Sequence, residues 1–139
     1  MKVFTKELSI PSKGDFDAIN ITDQVSDVVR ESEVREGAVL IFYKHTTGAI
    51  LMIEHEAGML VDLEDMLERV APELFEYKHH LRGYDANGAA HIRTALLSVS
   101  LTVPVVEEEL AIGTYQEIIM LDMDPGEKMR TVLVQILGV

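Results

Sequence analysis

Apolar residues fill odd and even positions alike over residues 38–42 and again over 49–53, which predicts two strands covered on both faces. Between them stands a polar junction, Lys44-His45-Thr46-Thr47-Gly48, so side chains that hydrogen-bond are delivered from rigid supports. Upstream, residues 3–10 alternate as a half-buried strand, Pro11-Ser12-Lys13-Gly14 reads as a turn, and residues 15–21 continue extended. Thr22 or Asp23 is placed to cap a helix carrying Val25, Val28 and Val29, with Gly37 ending it after a charged segment. From Gly58 the period changes to Met59, Leu60, Leu63, Met66, Leu67 and Val70, an apolar stripe opposite acidic residues, closed by Pro72. Residues 73–88 keep no period and predict a long polar loop. A further helix is predicted from near Asn87 to about Leu97, burying Ile92, Ala95 and Leu96 and presenting His91, Thr94 and Ser98. The remainder reads as strands over residues 100–106, 110–112, 115–123 and 131–137, joined as antiparallel hairpins. Strands gathered at the end, with helices set among the earlier ones, predict an α+β fold: a single domain over residues 1–139, with mixed or antiparallel sheets and two to three helices.

Composition narrows the function classes. With 139 residues, 47% of them hydrophobic and 26% charged, the chain suits one sizeable core rather than two domains. Charge is spread through residues 1–20 and no segment approaches a membrane span, so a cytoplasmic protein without membrane partners is expected. A net charge of −12 repels phosphate backbones and argues against nucleic acid as a partner. The absence of cysteine removes thiolate metal sites and a Cys nucleophile, leaving His, carboxylate, amide and hydroxyl groups. There is no Gly-x-Ser-x-Gly elbow and no Gly-rich phosphate loop.

All five histidines (His45, His55, His79, His80 and His91) fall between the first apolar strand and the second long helix. Imidazoles converging from separate elements can hold a divalent metal, with Glu54, Glu56 or Asp85 at hand, but no pair has a recognised ligand spacing, and scattered surface histidines are the competing reading. Asn87 and His91 stand i, i+4 at a helix start, where backbone N–H groups could take a phosphate or carboxylate; ordinary capping by Asn87 is the alternative. Gly113-Thr114-Tyr115-Gln116 offers a hydroxyl and an amide at a strand entry, or simply a turn. Arg82, Arg93, Lys128 and Arg130 are the anion partners open to an otherwise acidic chain, and Glu107-Glu108-Glu109 reads as a solvated hairpin turn.

Several of these landmarks occur together in order: His45-Thr46-Thr47, Tyr77-Lys78-His79, Asn87 to His91 followed by Ala95-Leu96-Leu97, Gly113-Thr114-Tyr115-Gln116, and the closing Val132 to Gly138. In this the chain resembles the YjbQ-like proteins, provisionally named secondary thiamine-phosphate synthase, over nearly its whole length. The resemblance implies a homotrimer with a His-rich pocket near a subunit boundary that binds a divalent metal of unknown identity. It also implies a small phosphorylated ligand, with site residues at His45, Thr46, Thr47, His79, Asn87, His91, Thr114 and Gln116. On this reading His45, His79 and His91 are the catalytic and metal-binding residues and the others bind substrate. The chain departs from the family pattern at Glu54-His55-Glu56, at His80 and at Tyr115. Two functions stay open: a metal-assisted transferase of thiamine-phosphate synthase type, and a non-catalytic trimer that binds a small metabolite or a metal. Exposed apolar strands with only two long helices to cover them also predict a homo-oligomer.

Overall fold

The structure is a computed structural model that describes residues 1–83 and 85–139, with the backbone alone at Arg82. The sequence readings placed on Tyr84 and on the Arg82 side chain therefore lie outside the described residues. Among the described residues, eight strands and three α-helices run in the order β1 (Lys2–Ser12), β2 (Asp17–Asn20), α1 (Thr22–Ser32), β3 (Gly37–Tyr43), β4 (Gly48–Ile53), α2 (Ala57–Val70), α3 (Gly88–Leu97), β5 (Ser100–Val106), β6 (Glu109–Leu110), β7 (Glu117–Asp122) and β8 (Lys128–Gly138). A 3-10 turn, Lys78–Arg82, interrupts the long loop before α3. Every strand pairing is antiparallel, in a five-stranded sheet ordered β1-β8-β3-β5-β6 and a three-stranded sheet ordered β2-β7-β4. This is the α+β single domain that the pattern predicts. Among the described residues, no helix is long and apolar enough to cross a membrane.

The core is built from one face of each sheet. Val39, Ile41 and Tyr43 of β3, Val103 and Val105 of β5, and Val132, Val134 and Ile136 of β8 meet Ile50, Ile118 and Met120 of the smaller sheet, with Val25, Val28 and Val29 of α1 closing the layer. The other face of the smaller sheet, Ala49 and Leu121, packs on Leu67 of α2 and Ala90 of α3. Strand β7 thus has both faces buried, which explains its unbroken apolar run.

Strand β3 differs from expectation. Its outer positions are not covered: Ala38 and Leu40 are half-buried and Phe42 is 39% exposed. Helix α1 does not run to Gly37. It stops at Glu33, which takes the left-handed conformation (φ 59°) and returns its N–H to the Arg30 carbonyl. Its N-cap is Ile21, because the Thr22 hydroxyl instead bonds Asn20 and Glu117 and accepts from the Ile118 N–H. Helix α3 turns the opposite face inward from the one predicted. Ala89, Ala90, Arg93 and Thr94 are buried, while Ile92 and Leu96 are 47% and 59% exposed. The small residues let the helix lie close to the sheet, and Arg93 can be buried because it donates to the Ala71 carbonyl, Glu68 and Glu73. The strand expected over residues 115–123 is shorter, since residues 113–116 form a turn.

Candidate functional site

Strand β3 ends at Tyr43, and two residues on, on the same face, His45 packs edge-on against its ring at 4.9 Å. The Thr131 N–H of β8 donates to His45 Nε2 at 2.8 Å. Next to Thr131, Arg130 donates to the Thr47 hydroxyl at 2.9 Å, so two successive residues of β8 fix two alternate residues of the junction. Arg130 also grips Asp122 through two nitrogens, at 3.0 and 2.6 Å, and Ser12 of β1 donates to the same carboxylate at 2.6 Å. The guanidinium lies 5.7 Å from the Tyr43 ring centroid. Beneath that ring the chain must be glycine: a Cβ on Gly48 would fall 2.6 Å from a Tyr43 ring carbon.

These contacts set the charge states. Burial alone would push the Asp122 carboxyl up, but hydrogen bonds from Arg130 and Ser12 hold it below the usual carboxylate range. Asp124 is likewise held low against its burial, by Asn87 and Lys128. Arg130 is held above its ordinary value by Asp122 despite burial. Burial, and then the Asp122 charge, push the Tyr43 hydroxyl up. His45 moves the other way: burial, and then the Arg130 charge, lower its pKa and favour the neutral ring.

A cleft of about 600 Å³ opens between this junction and α3, lined by Phe42, Tyr43, His45, Thr46, His91 and Thr94 among others. Beside it the His79 and His91 rings lie 4.5 Å apart, and His79 Nε2 meets Asp85 at 3.1 Å. His80 is tied up nearby: its Nε2 accepts the Gly88 N–H at 2.9 Å, and a Cβ on Gly88 would fall 2.8 Å from that nitrogen.

The structure therefore brings His45 and His91 to one cleft and His91 to His79. It does not assemble all the predicted residues there. Thr46 lines the cleft, but Thr47 is buried and bonded to Arg130. Asn87 donates to Asp124 at 2.8 Å and lines a different cavity of about 280 Å³ with Asp15, Glu64, Glu73 and Arg93; its Oδ1 is buried without a partner. Gln116 accepts the Gly113 N–H at 2.7 Å within its own exposed turn, and neither it nor Thr114 lines the cleft. The predicted anion partners Arg93, Lys128 and Arg130 all face carboxylates. Glu56 accepts the Met59 N–H at 2.6 Å as the N-cap of α2, and His55 lies against the Ala18 carbonyl.

As a metal centre the three histidines fit only in part. No group of three or more His, Cys, Asp or Glu side chains able to hold an ion occurs among the described residues. His79, whose Nε2–H donates to the Asp85 carboxylate, has the hydrogen-bonded carboxylate common to metal-bound imidazoles, and His91 is its neighbour. His45 accepts a backbone hydrogen bond at Nε2, so its neutral ring carries the proton on Nδ1 and presents no second lone pair. Asp122 was missed in the sequence, although a carboxylate closing the buried run of β7 already demanded a partner.

The model of the family described as UPF0047 protein YjbQ-like matches residues 6–139. The chain belongs to this family. Among its YjbQ-like relatives, a UPF0047 protein of Methanothermobacter thermautotrophicus is 36% identical over 138 residues, covering 99% of this chain and 94% of the relative. One from Archaeoglobus fulgidus is 39% identical over 131 residues, covering 94% and 99%. A crystal structure from Sulfolobus solfataricus, described as a YbjQ-like protein of unknown function, superposes with a TM-score of 0.94 at 33% identity over 99% of both chains. A YjbQ/UPF0047 protein of Clostridium acetobutylicum gives 0.86 at 30% identity, over 95% of this chain and 99% of its own. The YjbQ-like fold is thus common to chains of modest identity.

Proposed function

We propose that the chain is an enzyme acting on a small phosphorylated molecule in the cleft between the His45 junction and α3. The observation that carries this reading is the file Asp85–His79–His91 beside the cleft, a carboxylate fixing one imidazole next to a second. Such a pair can serve either as general acid and base, a contribution of roughly 10²–10⁴-fold in rate, or as ligands to a metal ion. Phosphate charge is the difficulty for this site, because Arg93, Lys128 and Arg130 are already paired with carboxylates and Lys44, which lines the cleft, is paired with Glu7. A divalent cation would supply that charge, and His79 and His91 are the residues to hold it, with its other ligands coming from substrate, water or a second copy of the chain. The reaction class is the thiamine-phosphate synthase type, in which the thiazole nitrogen of a thiazole phosphate bonds to the carbon of a pyrimidine pyrophosphate as its C–O bond breaks and pyrophosphate leaves, in a cytoplasmic homotrimer.

A second reading, a non-catalytic small-molecule or metal binder, is favoured by one observation: the Thr94 hydroxyl that lines the cleft donates to the Ala90 carbonyl of its own helix at 2.8 Å, so it is not set up as a nucleophile. A single-turnover assay with the two substrates, with and without divalent metal, decides between them. Turnover that falls about 100-fold or more in His91→Ala and His79→Ala supports the enzyme. Absence of product from the wild type, with calorimetric binding of either substrate retained, selects the binder.

A further inference from the structure

We propose that His45 is a fixed hydrogen-bond donor in the cleft, presenting Nδ1–H to an oxygen of the bound molecule, and that it is not a metal ligand. The backbone decides the tautomer. A peptide N–H can only donate, so the 2.8 Å contact from Thr131 to Nε2 requires a lone pair on that nitrogen, and the proton of the neutral ring must be on Nδ1. The contact cannot easily slip, since Thr131 is an interior residue of β8 and the preceding Arg130 is clamped to both Asp122 and Thr47.

Nδ1, by contrast, is not engaged by the protein. It makes no hydrogen bond, yet the only buried side-chain polar atoms without a partner among the described residues are the Tyr43 hydroxyl and Asn87 Oδ1. Nδ1 is therefore not fully enclosed, and His45 lines the cleft with His91. Two of the other histidines carry a proton on Nε2 instead. His55 must donate from Nε2 to the Ala18 carbonyl, and His79 meets the Asp85 carboxylate through Nε2, so both carry the opposite tautomer. His80 shares the His45 tautomer, but its Nε2 serves to hold the start of α3. Burial and the Arg130 charge disfavour the imidazolium at His45, which keeps the acceptor nitrogen available to Thr131. A neutral imidazole locked as a donor stabilises charge growing on a carbonyl, carboxylate or phosphoryl oxygen without first giving up a proton. The ligand it selects therefore carries such an oxygen opposite Nδ1.

The proposal shares its cleft with the function proposed above but does not depend on a bound ion. Long-range proton–nitrogen spectra of the full chain labelled with ¹⁵N-histidine, at mildly alkaline pH, should show His45 with a pyrrole-like Nδ1 and a pyridine-like Nε2, assigned by the spin system missing from His45→Asn. The reverse tautomer, or averaging of the two, overturns the proposal. Inorganic phosphate or acetate should move the Nδ1–H resonance, and a lack of response to either overturns the oxygen-acceptor assignment. In a Co²⁺ titration, His45→Asn, which keeps a donor near the Nδ1 position, should bind within about threefold of wild type, whereas His79→Ala and His91→Ala should weaken by tenfold or more. A tenfold loss in His45→Asn overturns the donor role. Failure of the wild type to bind Co²⁺ would defeat the cation reading alone, and the tautomer spectrum would still decide this one.

Discussion

Arg130 and Asp122 are 5% and 0% exposed, and burying either charge is tolerable only because the other is there. Removing one partner, in Arg130→Met or Asp122→Asn, should cost about 3–5 kcal/mol by urea denaturation, and Arg130→Met with Asp122→Leu should recover much of that loss. Single variants within about 1 kcal/mol of wild type would show that the pair is not isolated from water. The pH dependence has a definite sign. Because the folded Asp122 and Asp124 carboxyls titrate below their ordinary values, their stabilisation is complete above the unfolded pKa of about 3.9 and is lost as pH falls below it through the depressed folded values. The urea midpoint of wild type should therefore fall more steeply below pH 4 than that of Asp122→Asn. At this scale His45 was legible at its polar junction, whereas Asp122 was missed although it interrupts an apolar run. The tautomer of His45 was not legible, because it is set by Thr131, 86 positions away.

Helices α2 and α3 show where periodicity locates an element but misjudges its environment. The stripe on α2 correctly placed the helix, yet only Leu67 is buried, and Met59, Met66 and Val70 are 40%, 38% and 57% exposed. On α3 the apolar positions Ile92 and Leu96 lost the inner face to two alanines and a paired arginine, since close approach to the sheet selects small side chains and a satisfied guanidinium. The long loop was read correctly as lacking a period, but the contacts that draw His79 to Asp85 and His91 leave no periodic trace. Glu56 makes the same point with a testable consequence. It stands in the Glu54-His55-Glu56 departure from the family pattern, yet its carboxylate caps α2 by accepting the Met59 N–H. Glu56→Ala should cost about 1 kcal/mol in thermal or urea unfolding, with Glu56→Asp recovering most of it. Co²⁺ affinity should be unchanged in both, and a loss of metal binding in Glu56→Ala would return this residue to the site.

At the scale of the whole molecule, apolar surface remains uncovered in several places at once. Phe42 on the outer face of the larger sheet, Met59, Met66 and Val70 on α2, Leu74 and Phe75 in the following loop, and Ile92 and Leu96 on α3 are each at least 38% exposed. Monomeric soluble proteins seldom leave contiguous apolar patches much beyond a few hundred Å², whereas a stable interface buries about 1,200–2,000 Å² in total. The chain's −12 charge works against association, so an interface between identical copies must be driven by this apolar surface rather than by charge complementarity. Phe42 lines the His45 cleft, and His91 and Ala95, on either side of Ile92 in α3, line it too, so a copy seated on these residues would also wall the cleft from water. Light scattering at micromolar concentration should give a multiple of the chain's mass, with three copies as the proposed number. Raising the ionic strength should not dissociate it, because apolar contacts are not screened. The pair Ile92→Glu and Leu96→Glu should convert the assembly to monomer while costing little intrinsic stability, since both side chains already face solvent in one chain. A wild type that scatters as a monomer would defeat the oligomer. A double variant that keeps the wild-type mass would move the interface away from α3.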